Sequence, residues 1–177
     1  MLGEGPMWHP AENALYWVDC SGKKIHRLDP DAPDVSTAWT LPTHIGCLVI
    51  RARGGFMAAV TSGFVAVELP PGGGEAVVSD YAPLDQDTGA NYDPDLGFDP
   101  AALVSLVLGE RGPPCCDVAG CCGQVRGMND GKCDRAGRFW AGTVLTPKGM
   151  AAEKSEQVGK LWRLEPNGDA VRRSDLG

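Results

Sequence analysis

One pattern recurs three times and constrains the fold more than any other feature: a short aromatic strand, a Gly-bearing turn, then a second short strand. The first copy is Ala14 to Asp19, a turn at Cys20 to Lys23, then Lys24 to Pro30. The second is Gly55 to Val60, a turn at Thr61 to Gly63, then Phe64 to Leu69. The third is Gly137 to Thr143, a longer loop, then Gly159 to Pro166. Aromatic and branched residues on alternate positions, bounded by Gly, Pro and Asp, are hairpin signals. Copies one and three also match in detail: Tyr16-Trp17 answers Phe139-Trp140, and Ile25 to Pro30 answers Leu161 to Pro166.

The spacing says what the hairpins build. Phe56 follows Tyr16 by 40 residues, the period of a four-stranded propeller blade. Phe139 follows Phe56 by 83, about twice that period. The stretch between holds Asp93-Pro94, Asp99-Pro100 and Gly112-Pro113-Pro114, and no aromatic strand pair. It reads as a disordered or peripheral insertion over residues 85–125, with Pro100 to Leu108 able to form two helical turns or a strand. Gly (24) and Pro (14) exceed a fifth of the chain, and no long segment has a 3.6-residue period. The predicted fold is therefore all-β, one domain over residues 1–177.

The formal charge of −7 argues against nucleic acid and anionic membranes as partners. No run of about 18 apolar residues is present, so no membrane helix is expected. The first residues lack the basic-then-apolar pattern of a secretory leader, and a cytoplasmic location is expected. Cys20, Cys47 and Cys133 read as buried thiols. Cys115, Cys116, Cys121 and Cys122 form two doublets rather than a pair of Cys-x-x-Cys knuckles, and read as reduced cysteines of the insert rather than a zinc site.

The stretch from Asn129 to Thr143 carries the strongest functional signal. Asn129-Asp130-Gly131 is a turn pattern, with backbone freedom expected at Gly131 and side-chain oxygens before it. Asp130 and Asp134 fit turn capping. His9, His26 and His44 lack metal spacing, and no Gly-x-Ser-x-Gly elbow marks a serine hydrolase. Trp8, Trp17, Trp140 and Trp162 are expected to pack between blades rather than stack on sugars.

Leu2 to Trp8, Leu15 to Asp19, and Asn129 to Asp134 with Gly137 to Thr143 together closely resemble the SMP-30/gluconolactonase/regucalcin family, over residues 1 to 80 and 126 to 177. The resemblance implies a six-bladed β-propeller, of which this chain would form about three blades with an irregular insertion. It implies one divalent cation (calcium, zinc, magnesium or manganese) and hydrolysis of a sugar lactone. Glu4 falls where the family has a metal ligand, and Asn129 where it has a substrate-binding Asn. The family's substrate-contacting Arg lies two residues before that Asn. Here that position is Gly127, and Arg126 is one residue further back. A family acidic residue would fall near Thr146-Pro147 and is missing. The second metal Asn and the catalytic Asp are expected beyond Gly177, so no catalytic residue is expected within the chain. Six blades of about 40–45 residues exceed 177 residues. Weak turnover by this chain is expected. The alternatives are a non-catalytic calcium-binding regulatory protein and an incomplete gene product without independent activity.

Overall fold

A computed structural model describes residues 2–83, 126–145, 159–165 and 168–175. The insertion over 85–125, with the cysteine doublets, and Thr146-Pro147 lie outside the described residues. Among the described residues every regular element is a strand, and all thirteen fall into three sheets.

The first sheet holds β1 (Gly3–His9), β2 (Ala14–Asp19), β3 (Lys24–Leu28) and β4 (Ser36–Thr40), antiparallel and in chain order. The second holds β5 (Ile45–Ile50), β6 (Phe56–Val60), β7 (Gly63–Glu68) and β9 (Val77–Pro83). The third holds β10 (Arg126–Cys133), β11 (Phe139–Leu145), β12 (Lys160–Leu164) and β13 (Ala170–Asp175). Each hairpin read from the sequence appears with its register: Trp17 faces His26, Ala58 faces Val65, and Trp140 faces Arg163. Four antiparallel strands per sheet is the repeat unit that the 40-residue spacing demands.

One short strand departs from chain order. β8 (Gly74–Glu75) lies between β7 and β9 in sequence, yet it pairs in parallel with β4 of the first sheet. The Trp39 indole N–H donates to the Pro70 carbonyl at 2.7 Å, and the Ala76 N–H to the Thr40 carbonyl at 2.9 Å. Gly73 makes the approach possible. Its φ is +91°, and a Cβ there would stand 2.8 Å from the Ala38 carbonyl oxygen.

The core has two layers. Between the first and second sheets lie Tyr16, Val18, Ile25 and Trp39 against Ile45, Phe56, Val60 and Val67. Between the second and third lie Val49, Met57, Phe64 and Ala66 against Met128, Phe139, Trp162 and Leu164. An aromatic pair bridges each layer: Tyr16 and Phe56 have ring centroids 4.9 Å apart, Phe64 and Phe139 5.1 Å apart. Such pairs add about 0.5–1.5 kcal/mol beyond their buried area.

Two expectations need correcting. Trp162 is buried, but Trp17 and Trp140 are only half-buried and Trp8 is 48% exposed. Their sheet faces turn away from both core layers. Cys47 is buried, Cys20 half-buried and Cys133 exposed, so the three thiols do not share one environment. All three are free.

A candidate ligand site where three inner strands meet

The first strands of the three sheets share a local irregularity. Pairing shifts between Glu4 and Met7 in β1, between Ile45 and Cys47 in β5, and between Met128 and Gly131 in β10. A β-bulge adds an unpaired residue and re-aims the side chains beside it. Gly5, at φ +56°, supplies the left-handed residue of the first bulge. Thus Glu4 and Asn129, the two residues singled out for ligand contact, each sit beside or within a bulge on the first strand of a sheet.

Asn129-Asp130-Gly131 is not the free-standing turn that its composition suggested. All three residues lie inside β10. Gly131 is required for a different reason from backbone freedom: a Cβ there would stand 2.3 Å from the Trp140 carbonyl oxygen. The turn comes later, where Asp134 accepts from the N–H groups of Ala136 (2.9 Å) and Arg138 (3.0 Å) and from the Trp140 indole (2.9 Å). The indole bond first, then the Arg138 and Ala136 bonds, hold the Asp134 carboxyl well below the usual carboxylate range.

Gly46 brings the second and third sheets into backbone contact beside Asn129. A Cβ on Gly46 would lie 2.3 Å from the Asn129 carbonyl oxygen. The corner after β2 completes the arrangement, with the Cys20 Sγ 3.9 Å from the Gly46 carbonyl oxygen. Burial raises the Cys20 thiol pKa, and the charges of Glu4, Asp19 and Asp130 raise it further. Glu4 of the first sheet and Asp130 of the third therefore act electrostatically on one point. Burial, with a smaller push from Asp130, drives the Cys47 thiol up to about 12.

Glu4 and Asn129 are exposed, and neither side chain has a hydrogen-bond partner among the described residues. Asp130 turns Oδ1 back to the Gly131 N–H at 2.8 Å. Arg126 opens β10, its backbone opposite Leu145; its side chain lies outside the described residues. Among the described residues no three His, Cys, Asp or Glu side chains are grouped to hold a metal ion. The donors at hand are oxygens, which suit a hard cation in kind but fall short of its six or more ligands.

A cavity of about 410 Å³ lies elsewhere, lined by His9, Glu12, Tyr16, Arg27, Phe56 and Glu68 among others. It belongs to the opposite end of β1, five residues or about 17 Å of strand from Glu4. Its charges are paired, Glu68 with Arg51 at 3.6 Å and the rest around Glu12. The Glu12 carboxylate accepts from the Tyr16 hydroxyl at 2.5 Å and lies 3.5 Å from both Arg27 Nε and His9 Nε2. At the bulged end, by contrast, the side-chain oxygens of Glu4 and Asn129 have no partner among the described residues.

Sequence reasoning missed Asp19 and Gly46. Both left a signal: an Asp three residues before a Gly is a type I β-turn pattern, and a Gly within the apolar run Ile45 to Ile50 marks close backbone approach.

Comparison with known proteins bears on the family and the fold. The profile of the SMP-30/gluconolactonase/LRE-like region matches residues 2–176. The 6-deoxy-6-sulfogluconolactonase of Pseudomonas putida is 31% identical over 148 residues, covering 84% of this chain and 37% of that protein. Regucalcin of Xenopus laevis is 26% identical over 175 residues, covering 99% of this chain and 45% of that protein. A luciferin-regenerating enzyme superposes with a TM-score of 0.66 at 16% identity, covering 99% of this chain and 46% of that one. At that identity the likeness speaks for the propeller-type fold alone. The chain spans less than half the length of these relatives.

Proposed function

The chain belongs to the SMP-30/gluconolactonase/LRE-like family, and from that premise we propose that it carries part of the site of a metal-dependent sugar-lactone hydrolase. One observation carries the reading: Glu4 and Asn129 are exposed beside or within bulges on the first strands of two sheets, and neither side chain has a hydrogen-bond partner among the described residues. The lactonase names of relatives in Pseudomonas putida and Bacillus subtilis support the substrate class. The six-bladed ring, with this chain as about three blades, is part of the same proposal.

In this reading Glu4 and Asn129 hold a divalent cation and its substrate. Calcium, magnesium or manganese suits an all-oxygen set, and zinc tolerates one. A bound cation supplies Lewis acidity, polarising an ester carbonyl and making water more acidic. Glu4 contributes the negative charge that attracts the cation. The Asn129 amide offers both a donor and an acceptor, enough to orient a polyhydroxylated substrate. We assign Arg126, at the head of the same strand, to substrate contact. Asp130 adds negative charge close by without being a ligand. Proton transfer during ring opening needs a further carboxylate, and none within residues 1–177 is assigned to it. With two donors in place of six or more, the 177-residue chain binds metal weakly and turns lactone over slowly. The free thiols of Cys20, Cys47 and Cys133 suit a reducing cytoplasm.

Manganese titration followed by NMR tests this. The paramagnetic ion is expected to broaden the Glu4 and Asn129 signals together, and Glu4→Gln is expected to weaken that binding at least tenfold. Broadening confined to other parts of the chain overturns the reading. Calcium binding at the same residues, with no lactone hydrolysis on addition of any of the four cations, favours the regulatory alternative instead.

A further inference from the structure

Leu2, two residues before Glu4, is gripped from both sides. Asp19 closes β2 and is buried, 5% exposed. Its Oδ1 accepts the Leu2 N–H and the Gly22 N–H, each at 2.9 Å. The Cys20 N–H donates in turn to the Leu2 carbonyl at 3.1 Å. The turn is built around the carboxylate, since a Cβ on Gly22 would stand 2.3 Å from Asp19 Oδ2.

The same corner reaches the other two sheets. His44 Nδ1 donates to the Cys20 carbonyl at 2.8 Å, and Cys20 Sγ approaches the Gly46 carbonyl. Gly46 then rests on the third sheet, where any Cβ would meet the carbonyl oxygens of Asn129 and Met128 at 2.3 and 2.7 Å. Leu2, Asp19-Cys20, Gly46 and Asn129 thus form one unbroken run of contacts across three sheets. Asn129 stands at one end of it, and Glu4 lies two residues along the chain from the other.

We infer that Asp19, Cys20 and Gly46 are positioning residues that set the separation of Glu4 and Asn129. The functional meaning rests on the donor roles proposed above; the positioning itself does not. Asp19 is not a ligand in this scheme: it is buried, two backbone N–H groups occupy Oδ1, and Gly22 packs against Oδ2. Amide bonds to a carboxylate are charge-assisted and roughly twice as strong as neutral ones. They hold the segment that leads into β1. Gly46 acts by lacking a side chain, which lets two strand backbones approach.

Amide hydrogen exchange on the purified 177-residue chain tests the inference. Asp19→Ala is expected to speed exchange at Leu2, Glu4 and Gly22 at least tenfold while leaving Ala58 and Val65 unchanged. Asp19→Asn keeps an accepting oxygen and is expected to restore most of the protection. If Asp19→Ala does not fold, Gly22→Ala decides the question, because its Cβ displaces the carboxylate and releases Leu2. Unchanged exchange, or equal acceleration in all three sheets, overturns the inference.

Manganese affinity separates this from the donor reading. If the unaltered chain shows no broadening at Glu4 and Asn129, the donor roles fail, and the exchange result still decides positioning. If it does, Asp19→Ala and Gly46→Ala are each expected to weaken manganese binding at least tenfold, with Asp19→Asn near the unaltered value. Full affinity in both variants overturns the inference.

Discussion

The second sheet and its two neighbours solve the same folding problem differently. In the second sheet both faces are covered: β6 is buried at every position, β5 and β7 at all but the last. In the first sheet β2 alternates, with Ala14, Tyr16 and Val18 buried and Leu15 and Trp17 half-buried. In the third, β12 buries Trp162 and Leu164 but leaves Leu161 and Arg163 half-buried. A sheet covered on both faces reads as a continuous apolar run, and one covered on a single face as an alternation. The stacking order of the three sheets is thus written in their side-chain periods. The half-covered faces carry the large aromatics with polar neighbours: Trp17 stacks on His26 at 5.1 Å, and Trp140 has the Arg163 guanidinium 5.1 Å from its ring centroid. A side chain of that kind tolerates water on one side while keeping a partner on the other.

The sharpest way to break the comparison is to cut the same kind of group from each region. Phe64 is 1% exposed and meets Phe139 edge to face. Phe64→Ala is expected to cost about 3–5 kcal/mol in urea unfolding, the range for emptying a close-packed aromatic site. Trp17→Ala, on the half-covered face of the first sheet, is expected to cost about 1 kcal/mol, mostly its stacking on His26. Equal losses at the two sites would show that the outer face of the first sheet is covered in solution.

The smallest effect is acid sensitivity, and it belongs to the flanking sheets. Asp19 is held below its ordinary pKa first by the Leu2 N–H and then by the Gly22 N–H. Asp134 is held low by Trp140 and Arg138. A depressed native pKa stabilises the fold above the ordinary carboxylate value. That contribution is lost as the pH falls below about 4, because the unfolded chain takes up the proton more readily. Unfolding midpoints are expected to drop over that range, and Asp134→Asn to flatten the drop. A steeper drop in Asp134→Asn than in the unaltered chain would contradict the assignment.

Much of this was legible in the residues. Tyr16-Trp17 and Phe139-Trp140 marked equivalent strands because alternation with Gly-bounded ends is a local signal. Glu4 and Asn129 were found by resemblance, and the shared bulges then give them a common structural setting. What escaped notice depends on long-range contact. The Ile45 to Ile50 run has no alternation, and a continuous apolar run of six residues fits a strand covered on both faces or a buried helical segment equally until its neighbours are known. Asn129 to Gly131 looked like a turn because Asn-Asp-Gly forms turns when nothing opposes it. Here Gly131 sits under the Trp140 carbonyl, and pairing with β11 overrides the local preference. Trp8 looked like core by its type, but no described sheet packs over it.

The excursion of β8 has its own consequence. Gly74 and Glu75 leave the second sheet, clasp Trp39 and Thr40 of the first, and the chain returns as β9. Two units that follow one another along the chain are thereby interlocked rather than merely stacked. Under a pulling force applied across them they cannot slide apart as rigid plates until that clasp opens. The two sheets are therefore expected to unfold together rather than one after the other, which amide exchange in β2 and β6 would read as matching opening rates.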